Sequence, residues 1–466
     1  MLLPPSGAFY PYNETYIDVI ATICNTAQHN PNHGGGPMLP SIRSVEHTYE
    51  IPKFSITTKD IDGFYSELEG YHEVFADCFH RSESRGHFFK YMAGQFSELE
   101  RKSIEPIAVN IKGGNVRAMQ RFISDAEWDE DKISRKYRHM VNDDMGDPNG
   151  ILIFDESGFV KKGSDSIGVA RQYCGTIGKV DNCQVGVFAA YASPQGYALI
   201  DKRLFIPEKW FTKDYAAKRE KCALPENIKF KTKPQLAVEM FTAIRDEGIL
   251  PFKYIATDSL YGSSPEFINA VDRLPGVTYF VSMASDTRCW LKRPVVREKT
   301  YKYKGTVKTR RILEDTSKTP IAFIDLAKSI NDFFWYRRKV SEGTKGPIMY
   351  EFTKRRVVLS KDGLPEKEVW LVIKRTLGPK PEYSFFISNA PVSTRLAKFV
   401  WLSGVRWAIE QCFEETKTEL GMDHYEVRKY SGWNHHILTC MLGHFFLWHL
   451  KIRLGEKNAV YYSVAA

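Results

Sequence analysis

The sequence lacks the features that mark zinc ribbons, disulfide scaffolds and membrane proteins. None of its eight cysteines forms a C-x-x-C pair, so we expect reduced thiols in a cytosolic compartment. No positive region precedes an apolar block at the N-terminus, so we expect no secretory signal. The most apolar late stretch, residues 437–454, is interrupted by His444, His449, Lys451 and Arg453. It therefore predicts a buried helix and no membrane partner.

A phosphate-binding loop and internal repeats are missing as well. The glycine-containing segment from Gly175 to Lys179 does not have P-loop spacing, so we expect no nucleotide cofactor. No repeat with a period of about 20 to 50 residues is visible. The chain has 466 residues, of which 43% are hydrophobic. This length and composition predict a globular protein with two or three domains.

The positive charge is concentrated in one region. The chain carries a net charge of +9, whereas residues 286–384 contain 24 Lys and Arg against 12 Asp and Glu. In segments such as TYKYKGTVKTRR and FFWYRRKV, aromatic and β-branched residues alternate with cations. This period of two predicts strands with a cationic face, which suits a nucleic-acid backbone. A solvated sheet face on a basic protein is the alternative.

The changes of pattern along the chain predict an α/β protein. Residues 1–45 read as an N-terminal extension or linker, and residues 46–148 as a helical, DNA-binding domain. Residues 149–285 together with 386–460 contain strands followed by helix, strand and helix, which predicts the mixed sheet of a ribonuclease-H-like catalytic core. Residues 286–385 form a basic, β-rich insertion in that core.

The helical region contains a candidate DNA-binding element. Residues 113–141 predict two short helices joined at Ser124 and Asp125, with Arg117 and Arg121 on the first helix. The arrangement fits a helix-turn-helix that docks on duplex DNA. An ordinary helical hairpin with exposed cations fits it equally well.

Two aspartates follow apolar strand segments. Asp155 follows ILIF, and Asp258 follows YIAT and precedes a turn into a helix. In open α/β sheets, ligands bind at the carboxyl ends of strands, so both carboxylates are candidates for a site. Each could also be a cap or turn residue. Glu156 would point to the opposite face if the first strand continued.

A third carboxylate lies on a predicted helix near the C-terminus. Arg406, Glu410 and Lys417 fall within about 40° of one another on a helical wheel, so one carboxylate is flanked by two cations. Glu410 fits this stripe better than its neighbour Glu414. Ordinary i,i+4 ion pairing is the alternative explanation.

Three carboxylates from separate elements suit divalent metal ions. Mg²⁺ prefers oxygen ligands, and two ions about 4 Å apart can stabilise both oxygens of an in-line phosphodiester displacement. Asp155, Asp258 and Glu410 are therefore the predicted catalytic residues and the ligands of two Mg²⁺ ions, for which Mn²⁺ is an acceptable substitute. Clustered carboxylates repel one another unless a cation is bound, so their convergence would be costly without a function.

Four long strings resemble a known protein family. They are FDESGFVKKG (154–163), the stretch 168–201, TDSLYG (257–262) and the stretch 406–436, which begins RWAIEQCFEETK. They resemble bacterial insertion-sequence transposases of the DDE superfamily, of the insertion-sequence-four type and its seven-oh-one branch. The resemblance extends from about residue 75 to the C-terminal helix and is weakest in the basic insertion.

The resemblance implies the same three catalytic residues. Asp155, Asp258 and Glu410 match the two aspartates and the glutamate of the family, with separations of 103 and 152 residues. Arg406, Glu410 and Lys417 match the R, E and K of the group's Y-x2-R-x3-E-x6-K signature. Ser403 stands where the signature has tyrosine, so the sequence departs from the family there.

The implied reaction is cut-and-paste transposition in the bacterial cytoplasm, at the nucleoid. Its expected partners are double-stranded DNA, as terminal inverted repeats and as target, and a second copy of the chain in a DNA-bound homodimer. Arg406 and Lys417 would hold phosphates. The further predicted DNA contacts are Lys161, Lys162, Trp335, Arg337 and Arg338. By analogy with relatives, Trp290 or Trp335 would stack on a flipped base, although packing explains each tryptophan as well.

Two other classes of protein remain open from the sequence. One is a catalytically silent, transposase-derived regulator that binds DNA, although the three carboxylates are intact. The other is a hydrolase with two carboxylates, such as a glycosidase, for which the basic insertion would have no purpose.

Overall fold

The computed structural model describes residues 58–304, 306–343 and 346–463. The predicted N-terminal extension, residues 1–45, lies outside the described residues. In the described part, the helices are α1 (Thr58–Glu73), α2 (Ser82–Gln95), α3 (Ile104–Asn110), α4 (Val116–Ser124), α5 (Glu130–Met145), α6 (Ala216–Lys221), α7 (Lys233–Glu247), α8 (Ser259–Gly262), α9 (Pro265–Asp272), α10 (Phe323–Ser329), α11 (Leu396–Val405), α12 (Ala408–Leu420) and α13 (Tyr430–Ser463).

The strands alternate with these helices after residue 150. They are β1 (Ile151–Val160), β2 (Ala170–Cys174), β3 (Lys179–Ser193), β4 (Gly196–Phe205), β5 (Tyr254–Thr257), β6 (Thr278–Met283), β7 (Arg288–Trp290), β8 (Val296–Tyr303), β9 (Thr306–Leu313), β10 (Ile321–Ala322), β11 (Tyr336–Gly343), β12 (Gly346–Lys361), β13 (Leu364–Arg375) and β14 (Tyr383–Ser388).

Twelve of these strands form one mixed sheet. Its order is β10-β7-β12-β13-β14-β6-β5-β1-β3-β2, with β4 paired to β3 and β11 paired to β12. Strands β1, β5 and β6 are parallel, whereas β3 runs antiparallel to both β1 and β4. The mixed α/β sheet expected from the sequence is therefore confirmed. The order β4-β3-β1-β5-β6 agrees with the ribonuclease-H-like core that the pattern predicts.

The basic stretch, residues 286–385, contributes most of its strands to the same sheet. Strand β14 pairs with β6, and β13, β12 and β7 follow in turn. Strands β8 and β9 pair only with each other, in a separate two-stranded sheet. Alternation along the sequence predicts such strands, but it does not identify their partners, because hydrogen bonding across the sheet joins residues far apart in the chain.

The last helix, α13, packs in the interior. Most residues between Ile437 and Leu450 are buried, in agreement with the prediction of a buried helix. Among the described residues, no helix has both the length and the apolar character that crossing a membrane requires. Helices α4 and α5 form the helical pair predicted for residues 113–141.

Candidate active site

The two predicted aspartates occupy neighbouring positions on parallel strands. Phe154 in β1 lies opposite Thr257 at the end of β5, so Asp155 and Asp258 are the next residues on adjacent strands. Asp258 caps α8, and its Oδ1 accepts hydrogen bonds from the backbone N–H groups of Leu260 (3.0 Å) and Tyr261 (3.5 Å). These bonds fix the carboxylate at the carboxyl end of β5.

The sequence suggested that strand β1 ends at Asp155, but the strand is longer. It continues to Val160 because the longer strand β3 keeps pairing with it after β5 has ended. Gly158 lies in this continuation, where a Cβ atom would come within 2.4 Å of the Cys174 sulfur on β2. A glycine at this position therefore lets β2 approach β1 closely.

Burial makes the two carboxylates hard to ionise. Burial and the charge of Asp258 raise the pKa of Asp155 to about 7. Burial and the charge of Glu156 raise the pKa of Asp258 above its usual range. A bound cation would relieve this repulsion, and the donors are oxygen atoms, which magnesium prefers. The pair therefore fits a divalent metal ion.

Arg406 connects Asp155 with the predicted glutamate. Its Nη1 lies 3.8 Å from Oδ2 of Asp155, and its Nη2 donates a hydrogen bond of 3.0 Å to Oε1 of Glu410. The predicted single helix from residue 403 to 417 is interrupted here, because α11 ends at Val405 and α12 begins at Ala408. The i,i+4 contact persists across the break, since Arg406 and Trp407 keep helical backbone angles.

The neighbouring glutamates of α12 have other partners. Glu415 accepts hydrogen bonds from Tyr197 (2.8 Å) and pairs with His444 (2.6 Å) in the interior. Glu414 accepts a bond from Gln411, 2.9 Å away on the same helix. Of the three, Glu410 is the one paired with Arg406, as the helical wheel predicts.

The third carboxylate does not join the aspartates in a closed cluster. Across the described ranges of the chain, no three acidic, histidine or cysteine side chains are close enough together to hold a metal ion. The Arg406 guanidinium contacts both Asp155 and Glu410. Glu410 would have to exchange this contact for a metal before it could act as a third ligand.

Two of the predicted lysine contacts are packed against the protein. The Lys161 ammonium donates to the carbonyl of Tyr425 (2.9 Å) and lies 3.4 Å from the centre of its ring, and burial lowers its pKa to about 8. Lys417 donates to the hydroxyl of Thr176 (3.0 Å), and burial lowers its pKa. Lys162 is exposed. The prediction that these lysines contact DNA remains a prediction.

Lys374 is a cation of the site that the sequence did not indicate. It lies on β13, and the charge of Arg406 adds to burial in lowering its pKa, while Glu410 opposes this effect. Glu156 pairs with Lys233 at 2.7 Å, but it is not remote from the aspartates, because it also accepts a hydrogen bond of 3.4 Å from the Tyr261 hydroxyl in α8 and its charge raises the pKa of Asp258. Lys374 and Lys233 are far in the sequence from the carboxylates that they approach, and no local motif marks either lysine.

The tryptophans proposed for base stacking are buried. Trp290 is 6% exposed and Trp335 is 7% exposed, with the Arg375 guanidinium 4.2 Å from the Trp335 ring centre. Arg337 and Arg338 next to Trp335 are exposed. The accessible rings of this segment are those of Phe333, Phe334 and Tyr336, and the last two line a groove of about 370 Å³ together with Arg338.

The cations predicted on the helical pair lie at a second groove. Arg117 and Arg121 are exposed on α4 and line a volume of about 770 Å³, which Arg428 and Lys429 close from the other side. Lys429 is paired with Asp125 at 2.5 Å. The groove therefore joins the helical region to the segment between α12 and α13, while its role in DNA binding remains a prediction.

A known family matches more than half of the chain. Residues 74–347 match the sequence model of the DDE superfamily endonucleases. This chain belongs to the DDE endonuclease superfamily. The matched residues include Asp155 and Asp258 but end before Arg406, Glu410 and Lys417. In this DDE endonuclease, Glu410 as the third carboxylate therefore remains a prediction.

One relative and two solved structures resemble this DDE endonuclease. The chain is 25% identical over 351 residues to a protein of Microchaete diplosiphon, described as a probable transposase for insertion sequence element IS701, and the match covers 73% of this chain and 77% of the relative. A piggyBac transposase synaptic complex with hairpin DNA is 9% identical and covers 94% of this chain and 73% of its own, with a TM-score of 0.32. The NurA nuclease from Sulfolobus solfataricus is 11% identical and covers 64% and 86%, with a TM-score of 0.24. Neither TM-score is high enough to establish a common fold.

Proposed function

We propose that this DDE endonuclease is the transposase of an insertion sequence and moves its element by cut-and-paste transposition. The observation that carries the proposal is the adjacency of Asp155 and Asp258 at one end of the parallel strands, with Arg406 beside them. In this reaction, water hydrolyses a phosphodiester at each end of the element. The freed 3′-hydroxyl then attacks a phosphodiester of the target DNA at the same site.

Asp155 and Asp258 would hold the divalent metal, with Glu410 as a further ligand once Arg406 releases it. Bound Mg²⁺ would lower the pKa of a water molecule and stabilise the charge that develops on the attacked phosphate, and two ions would serve the attacking and leaving oxygens. The backbone N–H groups at the start of α8 keep the Asp258 carboxylate aimed at the strand end.

Three cations would bind the DNA backbone: Arg406 and Lys374 near Glu410, and Lys417 beside Thr176. Arg406 offers a planar fork that can hold two phosphate oxygens, whereas Lys417 and Lys374 offer point charges. When a phosphate takes the guanidinium of Arg406, Glu410 loses its partner and becomes free to bind metal. DNA binding would in this way complete the ligand set, so that cutting depends on substrate being in place.

An assay for excision of the element from its flanking DNA tests the proposal. Asp155→Asn, Asp258→Asn and Glu410→Gln should each lower Mg²⁺-dependent excision at least about a hundredfold, because a metal supplies several kcal/mol of transition-state stabilisation. Glu414→Gln is the matched control, since this residue lies on the same helix and its carboxylate accepts a hydrogen bond from Gln411. It should excise like the unmodified protein.

Each outcome has a distinct meaning. Excision that survives all three substitutions would exclude the proposed chemistry. If only Glu410→Gln behaved like the control, the third ligand would be wrong and the aspartate pair would stand. Binding of element ends without any Mg²⁺-dependent cutting would favour the alternative, a catalytically silent DNA-binding regulator.

We further propose that the active form is a homodimer on DNA. Two element ends must be brought together, and one site serves one end at a time. When end DNA is added, each complex should therefore contain the mass of two protein copies, as measured by light scattering. A one-to-one complex that still excises the element would contradict this assembly.

A further inference from the structure

Strands β8 and β9 form a hairpin that stands apart from the main sheet. Their side chains are exposed along nearly the whole length, and the base is half-buried, at Val296, Ile312 and Leu313. Two hydrogen bonds hold the base, one from the Glu314 N–H to the carbonyl of Val295 (3.0 Å) and one from Arg293 to the carbonyl of Glu366 at the start of β13. We call these two strands, residues 296–303 and 306–313, the hairpin arm.

The two faces of the hairpin arm differ in charge. Lys299 lies opposite Arg310, and Tyr301 lies opposite Lys308, so the period of two puts these pairs on one face. This face, called here the cationic face, has no carboxylate; its members are Arg297, Lys299, Tyr301, Tyr303, Thr306, Lys308, Arg310 and Ile312. The opposite face has Glu298 directly across from Arg311, together with Lys302, two threonines and Val307.

Ring contacts agree with this division. The Arg310 guanidinium lies 5.4 Å from the ring centre of Tyr301, and the Lys308 ammonium lies 5.0 Å from that of Tyr303. These are diagonal neighbours on one face of a two-stranded ribbon. The tyrosine rings therefore contact these two cations on the same face, and Lys308 and Arg310 remain exposed.

The cations of the cationic face repel one another, and no carboxylate of the described residues pairs with them. Like charges directly opposite each other destabilise a sheet, as Lys299 and Arg310 do here. Within the described ranges, no ion pair involves the four cations of this face. A hairpin that served only as a connection would not need this cost. A polyanion laid along the face would remove it.

The dimensions of the hairpin arm fit duplex DNA. Eight residues per strand give a ribbon about 26 Å long, and its two strands lie about 5 Å apart. The major groove is about 12 Å wide and admits a two-stranded ribbon, with closely spaced phosphates along both rims. We propose that the hairpin arm lays its cationic face on duplex DNA along the major groove. This inference rests on the proposed function, which supplies the DNA.

Two matched double variants of the full-length protein test the inference. Lys299→Gln with Arg310→Gln removes one lysine and one arginine from the cationic face, and Lys302→Gln with Arg311→Gln removes the same residue types from the opposite face. Fluorescence anisotropy measures the Kd of each protein for an element-end duplex and for an unrelated duplex of equal length, at salt concentrations from about 0.05 to 0.3 M.

The first pair should lower the salt dependence of log K by about 2 and weaken binding about thirtyfold at about 0.15 M salt, because two phosphate contacts are lost. The second pair should lower the salt dependence of log K by less than half as much as the first pair. A loss with both duplexes would identify phosphate binding, and a loss with one duplex would identify that DNA as the one bound; either supports the proposal. Without DNA, the first pair should melt no lower than the unmodified protein, since a repulsion is removed.

Equal Kd values for the two variant pairs would overturn the inference, as would a change in self-association of the first pair without DNA. The proposed function fails separately. If the unmodified protein does not excise DNA with Mg²⁺, the transposase proposal falls whatever the hairpin arm binds. If it excises normally while both pairs bind equally, only the hairpin arm proposal falls.

Discussion

Asp155 shows how a single residue of the site can weaken the fold. Its carboxylate is buried beside Asp258, and burial together with that charge raises its pKa to about 7. A carboxyl group whose pKa is higher in the folded than in the unfolded chain loses stability as the pH rises between the two values. At about pH 8 the whole cost is present, because the group is then ionised in both states.

Asp155→Asn should therefore stabilise the metal-free protein while abolishing cutting. We expect the free energy of unfolding in EDTA at about pH 8 to rise by about 1–4 kcal/mol, measured by urea denaturation. Mg²⁺ should raise the melting temperature of the unmodified protein and leave the variant unchanged. Asp201→Asn is the control with the opposite sign, because Asp201 is paired with Arg203 at 2.5 Å. A less stable Asp155→Asn protein would contradict the account.

At this scale, the sequence indicates the acids better than the cations around them. Asp155 and Asp258 follow apolar strand segments, and the helical wheel selects Glu410, so local pattern is enough to nominate all three. Lys374 could not be found this way, because it reaches the site only through the pairing of β13 with β14 and of β14 with β6. Whether a single aromatic ring is exposed also cannot be predicted from local sequence, and Trp335, which was predicted to contact DNA, is buried.

Helix α8 is the element that places Asp258. It is only four residues long and ends at Gly262, where a Cβ atom would come within 2.2 Å of the carbonyl oxygen of Ser282 in β6. That oxygen belongs to the backbone of a central strand and cannot move aside. The glycine of the TDSLYG string therefore allows α8 to rest directly on β6.

Gly262→Ala should push α8 away from β6 and displace the Asp258 carboxylate. We expect a loss of about 1–3 kcal/mol in stability and a larger relative loss of excision at saturating Mg²⁺. Gly86→Ala is the matched control, since this exposed glycine in α2 has open space around its Cβ position, and it should gain up to about 1 kcal/mol. Full activity of Gly262→Ala would show that α8 does not position Asp258.

Elements with strong local signals were predicted well. Helix α7 is the first helix predicted after the strands of the core, and its bounds follow from local signals, because Thr232 and Gln235 form a capping box and Gly248 ends the helix in the left-handed region. The break between α11 and α12 was not predicted. Residues 403–417 contain no proline, and their one glycine, Gly404, lies before the break. The partners of the strands in the basic stretch also required the structure.

At the scale of the whole molecule, His436 connects the helical region with the last helix. Its Nδ1 accepts a hydrogen bond from the Tyr91 hydroxyl of α2 (2.7 Å), because Nε2 donates to the carbonyl of Met422 (3.1 Å). This arrangement requires the neutral ring, and burial lowers the pKa of His436 to about 3. Acid should therefore loosen the contact between these two parts of the chain.

The pH dependence of stability tests this connection. A histidine whose pKa is lowered on folding costs stability below its ordinary pKa of 6.5, by about 1.4 kcal/mol per pH unit down to about 3. The stability advantage of the unmodified protein over His436→Gln should accordingly shrink by about 2 kcal/mol between about pH 7.5 and 5, measured by urea denaturation.

His449→Gln provides a control with the opposite sign. Its pairing with Asp144 at 2.6 Å raises the pKa of His449, so the stability it contributes is complete below the ordinary pKa and is lost as the pH rises. The gap between this variant and the unmodified protein should widen in acid. Parallel behaviour of the two variants would contradict the assignment of a neutral His436.

The continuity of the sheet has a consequence for how the protein avoids aggregation. Strand β6 is covered on its outer side by β14, which begins inside the basic stretch and ends at Ser388. Without β14, β6 would be an exposed edge with a row of unpaired N–H and C=O groups, a template for pairing with other chains. Deleting residues 286–388 should therefore give a self-associating product instead of a smaller working core, and any shortened relative would need another way to protect this edge.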